Sequence, residues 1–328
     1  MSAAIPPKHP MIRLWLRQER MPATTAAVAL SALNRWYDWL QSRDMELVDA
    51  TRFDVDEYVE HLETTPSEKT GKLLSPVTVI GSLVKLRAFY RWAHANRLLD
   101  GNPATEVKRP RASDSLPPAL DDTMLRDMIR SCGTDVNGRR DAAIMSLLRL
   151  SGLRRGEVCG LDLASYHDGD TPYLTVGSAA HPTKTGEVRT VPIAEETADL
   201  LDFYLLQRGD DPGALFISRH ADDGRMTPSG ITQLIDRARQ RCGIRGRIGV
   251  HTFRRAWAID ARESGMSDAA IMSIAGWKGE GMLVHYTKRA DARLAHAEYA
   301  QKMAGKVTAA PARPRTKTAK RSRRLRAV

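Results

Sequence analysis

The stretch "PYLTVGSAAHPTKTGEVRTVPI", residues 172–193, decides the fold class of this chain. Its two ends, "PYLTVG" and "VRTVPI", are rich in the β-branched and aromatic residues that are typical of strands. The ten residues between them predict a long loop, so the whole stretch predicts a β-hairpin. Because the sequence on either side has helical periodicity, we predict a mainly α fold with a small antiparallel β-sheet.

The helices around this hairpin belong to a domain that is predicted to span 118–305. "DAAIMSLLRLSG" (141–152) predicts a helix closed by Gly152. "TPSGITQLIDRARQRCG" (227–243) predicts a helix with a Thr cap and Pro at its first position. "DLLDFYLLQR" and "MSDAAIMSIAG" predict two more helices, which gives this domain an α+β character.

The first hundred residues predict a helical bundle, assigned to 1–102. In "TTAAVALSALNRWYDWLQSR" (24–43), residues Leu33, Trp36, Tyr37 and Leu40 share one helical face. "DATRFDVDEYVEHLET" (49–64) predicts a second helix, and "LSPVTVIGSLVKLRAFYRWAHANRLL" (74–99) a third that begins at Ser75-Pro76. The third helix has an apolar stripe made of Val79, Leu83, Leu86, Tyr90 and Ala93.

Two basic segments flank the predicted second domain. Residues 103–117, within "NPATEVKRPRASDSLPPAL", predict an extended basic linker. Residues 306–328 carry nine Lys and Arg and no acid, out of a net charge of +11, so the rest of the chain carries only +2. This tail is expected to be disordered, and it is either simply solvated or a non-specific phosphate-binding arm.

Several classes of protein and site are excluded by the sequence. No run of about 18 apolar residues predicts a membrane span, and "MSAAIPPKHP" is not a secretory signal. Three widely spaced cysteines fit neither a disulfide framework nor a zinc site, and they indicate a reducing cytoplasm. "SEKTGK" resembles a phosphate loop, but Pro66 stands where that motif requires Gly. We therefore expect no metal and no cofactor.

What remains in the second domain is a set of groups suited to phosphate chemistry. A tyrosine hydroxyl can attack a DNA phosphodiester and form a phosphotyrosine. Arginines can bind the non-bridging oxygens with paired donors, and a lysine on a loop can protonate the departing 5′ oxygen. A histidine can donate to the phosphate or carry the tyrosine proton, while an indole N–H can only donate. The candidates are Arg154, Lys184, His251, Arg254, Trp277 and Tyr286.

Each candidate taken alone has an ordinary structural explanation, so the hypothesis depends on their set and order. That order, with His251 and Arg254 in "HTFRRAW" and Trp277 nine residues before Tyr286, resembles the tyrosine recombinase family of phage integrases and Xer-type resolvases. "SGLRRGEV" resembles the family's arginine motif, which makes Glu157 the supporting acid. "KTGEVRTVPI" resembles its hairpin lysine motif. Trp277 stands where His is commoner, which leaves proton transfer to His251 and Lys184.

The resemblance covers roughly residues 10–305 and implies a compact two-domain recombinase. It implies a SAM-like core-binding domain before the catalytic domain, with no additional arm-binding domain. The two domains would clamp double-stranded DNA at a core site with inverted repeats, and a homotetramer would join two such sites through a 3′-phosphotyrosine intermediate and a Holliday junction. No ATP would be needed. The helical segment "RADARLAHAEYAQKMAG" (289–305) would pack either on a neighbouring protomer or on its own domain.

We therefore expect a cytoplasmic, nucleoid-associated enzyme, most simply the integrase of a phage or other mobile element, with an accessory directionality factor as a possible partner. The alternatives are a Xer-like resolvase, a type IB topoisomerase-like nicking-closing enzyme, and a non-catalytic DNA-binding protein on this fold. Basic residues away from the catalytic set are candidates for DNA binding. They are Lys85, Arg87, Arg91, Lys108, Arg109 and Arg237.

Overall fold

The computed structural model describes residues 6–68, 70–110, 120–218 and 224–303. Contacts divide the chain into two units, Met1–Ser115 and Leu116–Val328. The second part of the expected linker at 103–117 and the whole of the basic tail at 306–328 lie outside the described residues. The predicted domain boundaries therefore stay a prediction.

The first unit is a bundle of four α-helices among its described residues. Thr51 begins one of them with a capping box, because its side chain and that of Asp54 satisfy each other's backbone N–H groups. Ser75 caps another by accepting from the Thr78 N–H, as its sequence predicts. The helices are α1 (Pro10–Gln18), α2 (Ala23–Gln41), α3 (Arg52–Thr64) and α4 (Pro76–Ala95).

Aromatic residues fill the centre of this bundle. The indole rings of Trp36 and Trp39 stack with their centroids 5.3 Å apart, and Tyr58 packs against both. The Trp36 indole donates to the Tyr90 hydroxyl, which in turn donates to the Leu47 carbonyl. The predicted apolar stripe of α4 is wholly buried. On α2, Trp39 is buried, while the predicted core residue Tyr37 lies only half-buried.

The described part of the second unit is mostly helical around a small sheet. Its helices are α5 (Asp122–Arg130), α6 (Val136–Leu150), α7 (Arg155–Cys159), α8 (Glu195–Arg208), α9 (Pro228–Arg241), α10 (Val250–Glu263), α11 (Asp268–Ala275) and α12 (Glu280–Met303). Helix α6 is buried along almost its whole length and packs against α5, α8 and α10. It is therefore the centre of this unit's core.

The sheet is antiparallel, with the strand order β1 (Tyr166–His167), β2 (Tyr173–Val176) and β3 (Arg189–Pro192). Strands β2 and β3 form the predicted hairpin, in a register that pairs Val176 with Arg189. The short strand β1 was not anticipated from the sequence. The prediction of a mainly α fold with a small antiparallel sheet is confirmed. Among the described residues, no helix combines the length and apolar character that crossing a membrane requires.

Gly152 follows the C-cap of α6 and lies against α10. Its φ of +61° is a left-handed conformation that side chains other than hydrogen rarely adopt. A Cβ added here would lie 2.3 Å from Cε3 of Trp257 on α10. A larger residue could not be accommodated without moving this turn or the Trp257 ring, so Gly152 lets the turn that leads to Arg154 lie close to α10.

Candidate active site

The end of α11 is where most of the predicted site residues meet. A helix leaves its last carbonyls without intrahelical partners, and that end of the helix dipole favours cations. Here, backbone N–H groups of Gly276 and Trp277 bind the carbonyls of Met272 and Ser273. The next three carbonyls in the chain accept hydrogen bonds from three different arginine side chains.

Each of these arginines comes from a different part of the unit. Arg189, at the start of β3, donates to the Ile274 carbonyl at 2.8 Å. Arg254, on α10, donates to the Ala275 carbonyl at 2.7 Å and to the carbonyl of Gly152. Arg154, which precedes α7, donates to the Gly276 carbonyl at 3.0 Å. Three residues that span a hundred positions of the sequence are thereby fixed to one helix end.

Glu157 connects two of the arginines. One carboxylate oxygen accepts from Arg154 Nη1 at 2.8 Å and from Arg189 Nη1 at 3.1 Å. The other accepts from Arg189 Nη2 at 2.8 Å and from the Arg154 backbone N–H at 2.9 Å. Burial alone would raise the pKa of this carboxyl, but the Arg189 and Arg154 hydrogen bonds hold that pKa below its ordinary value. Arg154, Arg189, Arg254 and Glu157 are called the arginine cluster below.

The arginine cluster combines three guanidinium groups with one carboxylate, which leaves a surplus of positive charge. Arg254 is only 3% exposed. Burial, followed by the charge of Arg154, lowers the pKa of Arg254 to about 10, so it remains protonated at neutral pH. A buried positive surplus of this kind is suited to an anion, because unscreened charges interact more strongly in a low dielectric.

Trp277 and Tyr286 lie beside the arginine cluster. The Trp277 indole is 6% exposed, and the Arg254 guanidinium carbon lies 4.9 Å from its ring centroid. The Tyr286 ring stacks on the same indole, with the centroids 5.3 Å apart and the planes 7° from parallel. The Trp277 Nε1 is buried and has no hydrogen-bond partner among the described residues. An unpaired buried donor beside a cationic cluster is suited to an oxygen of a bound anion.

His251 lies one helical turn before Arg254, at the start of α10. The residue is exposed to solvent. Its partial burial, followed by the charges of Arg254 and Arg155, lowers the pKa of His251 below its ordinary value. The imidazole is therefore mainly neutral at pH 7 and able to accept a proton.

Lys184 is not brought to this cluster by any contact among the described residues. It lies exposed in the loop between β2 and β3. A cavity of about 280 Å³ lies beneath that loop, lined by Gly156 and Cys159 of α7 and by His181 and Thr183 of the loop. At the other end of the loop, Glu187 forms an exposed ion pair with Lys278 at 3.0 Å. The loop therefore has room to approach α7.

The candidates for DNA binding occupy different environments. Arg87 donates to the carbonyls of Ala104 and Val107, so its side chain stabilises the backbone that follows the bundle. Lys85 is half-buried, whereas Arg91, Lys108 and Arg109 are exposed. Arg237 is 54% exposed and 3.6 Å from Asp141. Contact with DNA stays a prediction for all six, and Arg87 is the one with an evident structural role.

Sequence reasoning missed Arg189. It lies within the hairpin motif, for which the sequence predicts a role only for Lys184. Along β3, Arg189 and Val191 share the inward face, while Thr190 points outward. A charged residue at an inward-facing strand position is a signal that could have been recognised, because buried charges require a partner.

The second unit matches the model of the phage integrase family over residues 119–293. A tyrosine recombinase of Pseudothermotoga lettingae is 22% identical over 78% of this chain and 84% of its own length. Tyrosine recombinase XerD of Mycobacterium tuberculosis is 26% identical over 74% and 80% of the two chains. Tyrosine recombinase XerC of Myxococcus xanthus is 26% identical over 65% and 72%.

Two solved structures have a similar fold. The Tn1549 transposon integrase, in complex with a circular intermediate DNA, gives a TM-score of 0.68 at 15% identity, covering 88% of this chain and 98% of that one. A λ integrase dimer bound to a COC′ core site gives a TM-score of 0.62 at 16% identity, covering 84% and 93%. At these identities, the likeness concerns the fold.

Proposed function

Since the chain belongs to the phage integrase family, we propose that Tyr286 is the nucleophile with which it cuts DNA. The chain is a tyrosine recombinase, an enzyme that cleaves and rejoins DNA strands, and the resemblance inferred from the sequence is confirmed. The observation that carries the residue assignment is the stack of Tyr286 on Trp277, whose indole also contacts the arginine cluster.

The reaction proposed is a transesterification that needs no external energy. The Tyr286 hydroxyl oxygen attacks the phosphorus of a DNA phosphodiester, and the bond from phosphorus to the 5′ oxygen breaks. A 3′-phosphotyrosine and a free 5′-hydroxyl result. Attack by another 5′-hydroxyl reverses the step and releases Tyr286, so the strands are rejoined without ATP.

The neighbouring residues supply charge and protons to this step. Arg154 and Arg254 bind the non-bridging oxygens, where one preorganised donor is worth about 10²-fold or more in rate. Neutral His251 takes the tyrosine proton, consistent with its lowered pKa. Lys184 gives a proton to the 5′ oxygen once its loop approaches the phosphate. The unpaired Trp277 N–H binds one of the phosphate oxygens.

DNA is the substrate in this proposal, as in the DNA complexes of the Tn1549 and λ integrases. The helical first unit and the catalytic unit grip the duplex together at a core site with inverted repeats. Four protomers join two such sites and exchange one pair of strands at a time through a Holliday junction. The enzyme works at the nucleoid, where an accessory factor sets the direction of the reaction.

The test begins with the nucleophile. The wild-type protein is incubated with sheared DNA from its source cells, and SDS-stable adducts are captured and sequenced to identify the site. A duplex with that site, nicked beside the scissile phosphate, traps the adduct. Tyr286→Phe is expected to bind this duplex without forming an adduct. The control is Tyr299→Phe, on the same helix with its side chain 67% exposed, which is expected to behave as wild type. An adduct with Tyr286→Phe would refute the assignment.

The biological role has two candidates. A mobile-element integrase joins two different sites, whereas the similarity to XerC and XerD favours a resolvase that acts on two identical ones. These two roles can be distinguished with a plasmid that carries two directly repeated copies of the captured site. Excision of the intervening DNA would favour the resolvase, and adduct formation without excision would favour the integrase.

A further inference from the structure

Arg189 binds two parts of the active site at the same time. Its guanidinium holds both oxygens of Glu157, at 3.1 Å and 2.8 Å, and its Nε donates to the Ile274 carbonyl at the end of α11. Only 11% of the side chain is exposed. Such a paired arrangement fixes the orientation of the carboxylate, which a single hydrogen bond would leave free to rotate.

The orientation of Glu157 determines that of Arg154. Glu157 receives both the backbone N–H and one side-chain nitrogen of Arg154. The second side-chain nitrogen of Arg154 is bound to the Gly276 carbonyl, two residues from the carbonyl that Arg189 holds. Both partners of Arg154 are therefore also positioned by Arg189.

The charges in the arginine cluster lead to the same conclusion. Glu157 faces Arg154 from its own turn, Arg189 from β3 and Arg254 from α10. Because Arg189 neutralises much of the Glu157 charge, the positive charge of Arg154 remains available to an incoming phosphate. Without Arg189, the carboxylate would draw the Arg154 guanidinium toward itself and weaken its attraction for that phosphate.

We propose that Arg189 is a positioning residue for DNA cleavage, which orients Arg154 through Glu157 and through the end of α11. This inference rests on the proposed function. Arg189 is also the first residue of β3, and it therefore ties the base of the hairpin that carries Lys184 to the same cluster. Arg189 itself is not a contact of the phosphate, so its loss affects the rate of cleavage rather than the affinity for DNA.

The experiment measures adduct formation on the nicked duplex for Arg189→Met and Arg189→Lys. The matched control is Arg239→Met. Arg239 is 19% exposed and likewise holds one carboxylate, Asp236, and one backbone carbonyl, that of Ile244, away from the arginine cluster. Its removal reproduces the structural cost of losing a half-buried arginine in the same unit.

We expect Arg189→Met to reduce the adduct rate about 10²-fold, the cost of misplacing a reacting group by about 1 Å, with an unchanged Kd for DNA. Arg189→Lys keeps the charge but not the paired geometry, so its adduct rate should lie between those of wild type and Arg189→Met. Arg239→Met should lose similar thermal stability and cleave at the wild-type rate. Equal cleavage by Arg189→Met and Arg239→Met would overturn the proposal.

The pH profile provides a readout that a purely structural role would not move. Since Arg189 holds the pKa of Glu157 down, its loss should shift the acid limb of the cleavage rate to higher pH. An acid limb at the wild-type position would also overturn the proposal. If wild type forms no adduct that depends on Tyr286, the proposed function fails; if wild type reacts and the Arg189 variants match it, only this inference fails.

Discussion

A substitution at Gly276 would displace the guanidinium groups of the arginine cluster by an amount that can be worked out from the structure. It has a φ of +63° at the end of α11. A Cβ at this position would lie 3.0 Å from Arg189 Nη1, 3.1 Å from Arg189 Cζ and 3.3 Å from Arg154 Nη1. Gly276→Ala therefore combines left-handed backbone strain with pressure on two guanidinium groups.

The two effects have different magnitudes and different readouts. The strain of a left-handed alanine is about 1–2 kcal/mol. In a domain of this size, that lowers Tm by roughly 2–8 °C. The guanidinium groups must also shift by a few tenths of an ångström to restore ordinary contact. If 1 Å of misplacement costs about 10²-fold, this shift costs about tenfold in the cleavage rate.

Gly243→Ala is the control for the backbone term. Gly243 follows α9 with a φ of +64°, and a Cβ there has nothing within 4 Å. Thermal unfolding of the two variants should give similar losses of Tm, while adduct formation on the nicked duplex should slow only for Gly276→Ala. Equal cleavage rates in the two variants would refute the reasoning, since the contact with the guanidinium groups would then have no effect.

Three further outcomes are expected. Lys184→Ala should slow adduct formation by about 10²-fold or more, and a 5′-bridging thio leaving group, which needs no proton, should restore it; no restoration would remove the acid role. Because the pKa of His251 is lowered in the folded state, the unfolded chain binds its proton first, so thermal stability should fall as pH drops below about 6.5. His251→Gln should flatten that fall, and an unchanged slope would contradict the role of burial. Truncation after Gly305 removes nine positive charges and should reduce the salt dependence of DNA binding. If DNA affinity depends on salt concentration equally with and without the tail, the tail does not contribute to DNA binding.

Local signals in the sequence were sufficient for the helices, the hairpin and the order of the candidate residues. Cap residues such as Ser75 and Thr227 and the apolar stripe of α4 predict elements from neighbours within a few positions. The sequence before Tyr286 contains three glycines, Gly276, Gly279 and Gly281, a pattern that predicts freedom for the tyrosine segment to move. The structure gives Gly276 a different purpose, because its lack of a Cβ makes room for Arg154 and Arg189. Gly279 and Gly281 have open space around them, so the idea stays open for those two.

The contacts of Arg189 could not be predicted in the same way. Its partners Glu157 and Ile274 are 32 and 85 residues away in the chain, so their proximity depends on how β3, α7 and α11 pack. The sequence also contains many other arginines with no distinguishing neighbour. The same applies to the contacts of Arg87. Local pattern makes this residue a candidate for DNA binding, which stays a prediction, but it could not show that the side chain donates to the carbonyls of Ala104 and Val107.

The predicted catalytic residues divide into two groups that differ in how they are held. The arginine cluster is largely buried, although the Arg154 side chain is 27% exposed, and its members are fixed by hydrogen bonds to one another and to the end of α11. Lys184 and the Tyr286 hydroxyl have no hydrogen-bond partner among the described residues, and Lys184 is exposed on a loop above a cavity. If Lys184 is the acid and Tyr286 the nucleophile, as proposed, a site whose arginines are fixed while these two groups are not can hold DNA without cutting it. Control of cleavage would then act on the hairpin loop and on α12 rather than on the arginines. Variants of Lys184 and of Arg189 should therefore differ in their response to a thio leaving group, which should restore cleavage in the Lys184 variant and not in the Arg189 variants.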